Sequence, residues 1–507
     1  MVLSPAFGGP SGNLGPKGTA PVAISLDGVF RDHAVLQRDE PVRIWGSANP
    51  GEVLTIRFHN QVVGAVANKR GRWRAVLAPM AASSDSEDLL VSGHEVLAIH
   101  DVVIGDVWFC SGQSNMEFTV DEGMNAEREI AAARFPLIRQ VVVGHAVSGA
   151  PSVSVATEGW HPASPAFAGK FTAVGYYFAR DVFRAVHVPI GIVRCAWGGT
   201  PIEAWMSRKA RAATPYSADI DGRWAAAEGE WTPARFTKYY ADLKLWEDAD
   251  ANSSETHTRS AVPWPHPPAT DTSPERPGNL YNGMVAPLRG LSIAGFVWYQ
   301  GESNVDHPEE YAGLFKEMIR SWRAEWGMGN IPFYFVQLAN FGDVGERRDR
   351  GWARLREAQE KALGLPATGM ALAVDIGEAD NVHPKNKQEL GRRLALVAKA
   401  KYYRLSEKCD GPRFFAAARE GRGLRVSFSG VESELGSRDG PVASLEVAGP
   451  DHVFHAAEGV IDVDTLVVSS ADVADPVAVR YAWTNAPVAN LYDGDGLPMA
   501  PFRSDDW

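Results

Sequence analysis

Six short apolar runs, at residues 104–110, 138–144, 189–195, 293–299, 331–338 and 370–375, punctuate the middle of this 507-residue chain. Segments with helical spacing lie between several of them. Val174, Phe178 and Val182 recur every four residues, and Leu390, Leu394 and Val397 form a similar stripe. Strands apolar on both faces that alternate with helices imply a parallel sheet covered on both sides, an α/β fold. In such a sheet, ligands meet the chain at the carboxyl ends of the strands. The residues that follow each run therefore carry the functional information.

The first run leads into Phe109-Cys110-Ser111-Gly112-Gln113-Ser114-Asn115-Met116-Glu117, a Gly-x-Ser turn before an acidic, helix-compatible segment. A serine at a strand-to-helix junction lies where a helix N-terminus can stabilise an oxyanion. A serine hydroxyl is a weak nucleophile and needs a base, usually histidine, itself oriented by a carboxylate. The Gly-x-Ser-x-Gly elbow of the α/β-hydrolases is not matched, because Met116 stands where the second glycine would be. The last run is followed by Asp375-Ile376-Gly377-Glu378-Ala379-Asp380-Asn381-Val382-His383-Pro384, so one loop carries both Asp380 and His383. In isolation such a pair reads as a capping Asp and a surface His. His307 is a rival base, but no downstream carboxylate pairs with it at the same spacing. Two other runs end in Trp197-Gly198-Gly199-Thr200, where bare backbone lets N–H groups approach a ligand, and in Gln300-Gly301-Glu302-Ser303-Asn304, where an amide can donate to an oxyanion. Each alone is an ordinary turn. Four such edges on four parallel strands form a constellation.

The rhythm changes on either side of this region. Residues 1–22 are rich in Gly, Pro, Ser and Ala and read as a disordered tail. Residues 23–102 alternate as short strands (Leu54, Ile56, Phe58; Trp73, Ala75, Leu77) and suggest a small β-sandwich. Residues 103–408 form the α/β domain, interrupted at about 208–277 by an insertion with one or two helices and the Pro-rich run Pro263 to Pro277. Residues 409–507 return to β. A net charge of −12 argues against nucleic acid or an anionic membrane as partner and fits a neutral substrate. No apolar run is long enough to span a bilayer. The three cysteines, Cys110, Cys195 and Cys409, make neither a disulfide framework nor a zinc pattern. A bridge between Cys110 and Cys195 stays open, although two buried thiols is the plainer reading. No metal or cofactor has a ligand pattern here, and oligomeric state is not legible.

The order of these blocks resembles the SGNH hydrolases, and within them the sialate O-acetylesterase and carbohydrate acetylesterase group. The matching stretches are Gly105-Asp106-Val107-Trp108 running into Gly112 to Glu117, Trp197 to Trp205, Trp298 to Asn304, and Asp380 to His383. Val35-Leu36-Gln37-Arg38, Leu280 to Met284, and Tyr481-Ala482-Trp483 extend the likeness over residues 25–503. The resemblance implies a three-layer α/β/α domain and a Ser-His-Asp mechanism that removes acetyl groups from acetylated carbohydrates. It makes Ser114 the nucleophile, His383 the base and Asp380 its orienter. It gives the oxyanion to the Ser114 and Gly199 N–H groups and to Gln300, where most SGNH hydrolases have an Asn. Gln113, Asn115, Trp197, Glu302 and Asn304 are the expected substrate contacts, with Glu302 also bonding backbone amides in the site. Export to the periplasm or outside the cell is the expected localisation. A non-catalytic carbohydrate-binding protein and a short-chain lipase or thioesterase on the same scaffold are the competing readings.

Overall fold

The computed structural model describes residues 22–256, 262, 265, 267–342 and 350–507. Apart from Val22, the expected tail at 1–22 lies outside the described residues, as do positions 263, 264 and 266 of the Pro-rich run.

All six apolar runs are strands. In chain order the central sheet and its helices comprise β1 (Val96–Gly112), α1 (Ser114–Glu117), β2 (Phe135–Val143), β3 (Thr157–Ala163), α2 (Ala173–Val186), β4 (Ile190–Ala196), β5 (Gly295–Tyr299), α3 (Pro308–Trp326), β6 (Phe333–Gln337), α4 (Gly351–Glu360), β7 (Thr368–Leu372) and α5 (Lys387–Lys401). The strands are ordered β3-β2-β4-β1-β5-β6-β7. Every neighbouring pair is parallel except β2–β3. The sheet is therefore mixed, not purely parallel. The unforeseen strand β3 contains Gly159 and Pro162, residues that weaken a strand signal and that a sheet edge tolerates.

Successive residues of a strand point to opposite faces, and Trp108 and Phe109 use both. Trp108 packs edge-on against Phe178 of α2 and Tyr402 beyond α5. Phe109 meets Trp322 and Trp326 of α3. The apolar stripes predicted on α2 and α5 are buried at Val174, Phe178, Val182, Leu390, Leu394 and Val397. Helices thus cover both sides of β1, and this packing makes it the middle of the core.

β1 also crosses the boundary expected near residue 102. Its first half pairs antiparallel with Ser83–Ser92 and parallel with Val35–Gln37, and its second half joins the central sheet. The N-terminal strands alternate as read, with Leu54, Ile56, Phe58, Trp73, Ala75 and Leu77 all buried. The insertion holds three helical segments, Arg208–Ala212, Ser217–Gly229 and Pro233–Thr256, one more than expected. It leans on α3, where Arg223 forms a bidentate pair with Glu310 at 2.9 and 2.7 Å. The C-terminal residues form two four-stranded antiparallel sheets around a second apolar cluster that includes Val426, Val447, Leu466, Val479 and Leu491.

Candidate active site

Strand register brings three of the four blocks level. Gly112 on β1 stands opposite Ala196 on β4 and Tyr299 on β5. The next residues on each strand, the Ser114 turn, the double glycine and the Gln300 block, therefore share one edge. Gly112 is required where β1 stops. Its φ is +142°, and a Cβ there would lie 2.0 Å from the Tyr299 carbonyl oxygen. Ser114 is the first residue of α1, so its N–H has no intrahelical acceptor.

His383 completes the pair. Its Nε2 is 2.8 Å from Ser114 Oγ, across 269 residues of chain. The loop that carries it is tied at several points. The His383 N–H donates to Asn381 Oδ1, Asn381 donates to Glu378, and Glu378 also accepts the Lys385 N–H. Asn115, next to the nucleophile, donates to the Val382 carbonyl at 2.9 Å and to Glu302 Oε1 at 2.6 Å, while Lys387 Nζ donates to its Oδ1. Burial, aided by the charge of Lys387, holds the His383 pKa below its ordinary value, and Glu122 opposes the shift. His383 is therefore neutral, and able to accept a proton, at pH 7. Asp380 stands exposed in the turn three residues earlier.

The double-glycine loop lies directly on the nucleophile, since a Cβ on Gly198 would come within 3.3 Å of Ser114 Cβ. Two anchors hold the loop. Glu117 Oε2 accepts the Gly198 N–H at 2.8 Å, and Gln300 Nε2 donates to the Thr200 carbonyl at 3.2 Å. Between them Gly199 is exposed, with φ +74° and open space where a Cβ would project. Glu117 is itself bonded by His145 at 2.8 Å and faced by Arg194 at 4.0 Å. Burial would raise the Glu117 pKa, but the His145 bond and charge, the Gly198 N–H and Arg194 outweigh it and keep the carboxyl ionised.

Gln300 does not stand where the sequence expectation placed it. The residue is fully buried, with one amide hydrogen on the Thr200 carbonyl and the other on Asn304 Oδ1 at 2.7 Å, and its Oε1 accepts the Tyr311 hydroxyl. Its two donors are spent on the framework, so it braces the Gly199 loop and is not free to meet an oxyanion. The expected substrate contacts have protein partners of their own. Gln113 Oε1 accepts the Gly301 and Ser303 N–H groups. Asn115 and Glu302 bond each other beneath the site. Asn304 ties Ile202 N–H, Gln300 and Glu203 together. These side chains join the blocks to one another and are absent from the cleft lining. Trp197 is half-buried and stacks on His145 with ring centroids 4.0 Å apart. His307 occupies the position before α3, with no capping bond from its side chain, and does not line the cleft. Cys110, Cys195 and Cys409 are free thiols.

The cleft over Ser114 and His383 has a volume of about 1070 Å³ and is lined also by Glu117, Phe118, Thr119, Asp121, Glu122, Thr157, Glu158, Lys170 and Arg194. Among the described residues, the 208–277 insertion contributes nothing to this lining. Sequence reasoning missed Glu117, Arg194 and Lys387. Lys387 left a usable signal: it lies three residues before Leu390 and seven before Leu394, on the same buried helix face. Among the described residues, no group of His, Cys, Asp and Glu could hold a metal ion, and no helix is long and apolar enough to cross a membrane.

Comparison with known proteins agrees with this geometry. Residues 104–232 and 269–400 match the family described as carbohydrate esterase, sialic acid-specific acetylesterase. A mouse sialate O-acetylesterase is 30% identical, over 96% of this chain and 95% of its own length. The human sialate O-acetylesterase is 28% identical, over 96% and 93%. The crystal structure of a carbohydrate acetylesterase from Xanthomonas citri covers 96% of this chain and 100% of its own, at 36% identity and a TM-score of 0.80. With its serine and histidine brought together at the edge of the sheet, the chain belongs to the sialic acid-specific acetylesterase family of carbohydrate esterases and is a carboxylic ester hydrolase.

Proposed function

We propose that the protein removes acetyl groups from acetylated sugars, with Ser114 as nucleophile and His383 as general base and acid. The observation that carries this reading is the 2.8 Å approach of His383 Nε2 to Ser114 Oγ inside an open cleft. His383 takes the hydroxyl proton as Oγ attacks the acetyl carbonyl. The N–H groups of Ser114 and Gly199 receive the oxyanion. The bond from carbon to the sugar oxygen then breaks, and His383 returns the proton to that oxygen. A water deprotonated by His383 attacks the acetyl-serine, and acetate leaves as Oγ is reprotonated. Asp380, in the turn before His383, is assigned as the carboxylate that orients the imidazole. The helices over both faces of β1 support a three-layer SGNH-type domain at 103–408, between β regions at 23–102 and 409–507. Export is inferred from the substrate class, since acetylated glycans are met mainly outside the cytosol.

Acetate release from acetylated monosaccharides and polysaccharides tests the reading. Ser114→Ala should keep the fold, checked by circular dichroism, and lower kcat by about 10³-fold or more. Wild-type rates in that variant would overturn the assignment.

A further inference from the structure

A side chain of the nucleophile's own helix reaches the Gly199 loop. Ser114 opens α1 and Glu117 closes it, three residues on and so on the same face. The Glu117 carboxylate uses both oxygens. Oε2 accepts the Gly198 N–H at 2.8 Å, and Oε1 accepts from His145 Nε2 at 2.8 Å. The same ring nitrogen is 3.2 Å from the Ala196 carbonyl. A carboxylate and a carbonyl can only accept, so Nε2 carries the proton. Trp197 lies flat on the His145 ring, with centroids 4.0 Å apart and planes 7° apart. Arg194, which also feels Glu122 and Glu158, faces Oε1 at 4.0 Å.

The Gly198 bond governs what the next amide does. The Trp197 N–H goes to the Gly112 carbonyl and the Gly198 N–H to Glu117. Gly199 then turns at φ +74°, and its N–H has no acceptor among the described residues. Gly198 already packs against Ser114, so the loop has little room to move inward. The Glu117 bond opposes movement outward. This restraint matters because a misplacement of about 1 Å at a reacting centre can cost about 100-fold in rate.

Resting on the esterase reading above, we propose that Glu117 is a positioning residue for the reaction: its carboxylate, braced by His145, holds the Gly199 N–H in line with the carbonyl that Ser114 attacks. Kinetics on p-nitrophenyl acetate, with inhibition by methylboronic acid, test it. Methylboronic acid adds Ser114 Oγ to boron and gives a tetrahedral anion that calls on the same donors. Glu117→Leu loses both acceptors, so kcat should fall about 30-fold while KM changes less than about threefold. The inhibition constant of methylboronic acid should rise in step with that fall. Glu117→Gln keeps one oxygen for the Gly198 N–H and should return kcat to within about fivefold of wild type. His145→Phe keeps a ring on Trp197 but frees Glu117, and should lower kcat about fivefold with the same rise in the inhibition constant. His145 is exposed, so this variant carries the test if Glu117→Leu does not fold. Wild-type kcat in the folded variants, or a loss confined to KM with the inhibition constant unchanged, would overturn the proposal. Wild-type hydrolysis of p-nitrophenyl acetate by Ser114→Ala would strike the esterase reading itself, a distinguishable failure.

Discussion

At the residue scale, charges beside His383 set the protonation of the base. Lys387 is fully buried beneath Phe118 and Tyr299, with Nζ 4.8 and 5.3 Å from their ring centroids, and burial pulls its pKa down to about 7. Glu302, Glu378 and Glu122 oppose that shift. The lysine lowers the His383 pKa in turn, and Glu122 raises it. A base must be unprotonated to act, so kcat/KM should rise with pH around a midpoint below the ordinary histidine value of about 6.5. Lys387→Met removes a repulsive charge and should move that midpoint up. Glu122→Gln removes an attractive one and should move it down. A pH–rate profile of the three proteins checks both signs, and opposite movements would show that other groups set the limb.

At the element scale, what matters is how strand ends and short turns present backbone. Gly112 and Gly199 are both glycines at positive φ, yet they should respond differently to alanine. A Cβ on Gly112 collides with the Tyr299 carbonyl, so Gly112→Ala should cost about 3 kcal/mol or more, read as a fall in denaturant midpoint. A Cβ on Gly199 meets nothing, so Gly199→Ala should cost only about 1–2 kcal/mol of backbone strain and keep the fold. The variant keeps the backbone N–H, so kcat should fall only as far as the strained φ turns that proposed oxyanion donor out of line, by about tenfold. The six strands and the buried stripes of α2 and α5 were legible because apolar periodicity reports burial directly. β3 was not, because Gly159 and Pro162 interrupt its pattern. The turn residues Gly112, Ser114, Gly199 and His383 could be picked out because each follows an apolar run. The destination of the Gln300 amide could not, because one acceptor, Thr200, lies on a different loop 100 residues away, while Asn304 is in its own turn.

At the scale of the whole molecule, the C-terminal β region helps to hold the catalytic loop. Asp375, just beyond β7, receives a bidentate pair from Arg393 of α5 at 2.6 and 2.7 Å and the Tyr492 hydroxyl at 2.9 Å. The Arg393 and Asp375 side chains are only 4% and 1% exposed, so removing one partner strands a buried charge. Arg393→Met should destabilise by about 3–5 kcal/mol, and Tyr492→Phe, which loses one bond, by about 1 kcal/mol. Thermal unfolding measures both, and similar small losses for the two would show that Asp375 relaxes to water. Arg356 of α4 makes a second junction, donating to the Thr484 and Asn485 carbonyls from a fully buried position. The stretch after Tyr481 is thus part of the support for the sheet.

The sequence by itself determined the elements and the candidates. Apolar periodicity marks what is buried, and the residues after each buried run name the chemistry available at the sheet edge. Only the tertiary structure decided which candidates meet. The 2.8 Å contact between Ser114 and His383, the commitment of Gln300 to the framework, and the crowding of carboxylates around Arg194 all depend on strand register and loop packing between segments far apart in the chain. Local sequence carries no record of such distances, because they arise only when non-adjacent elements pack together.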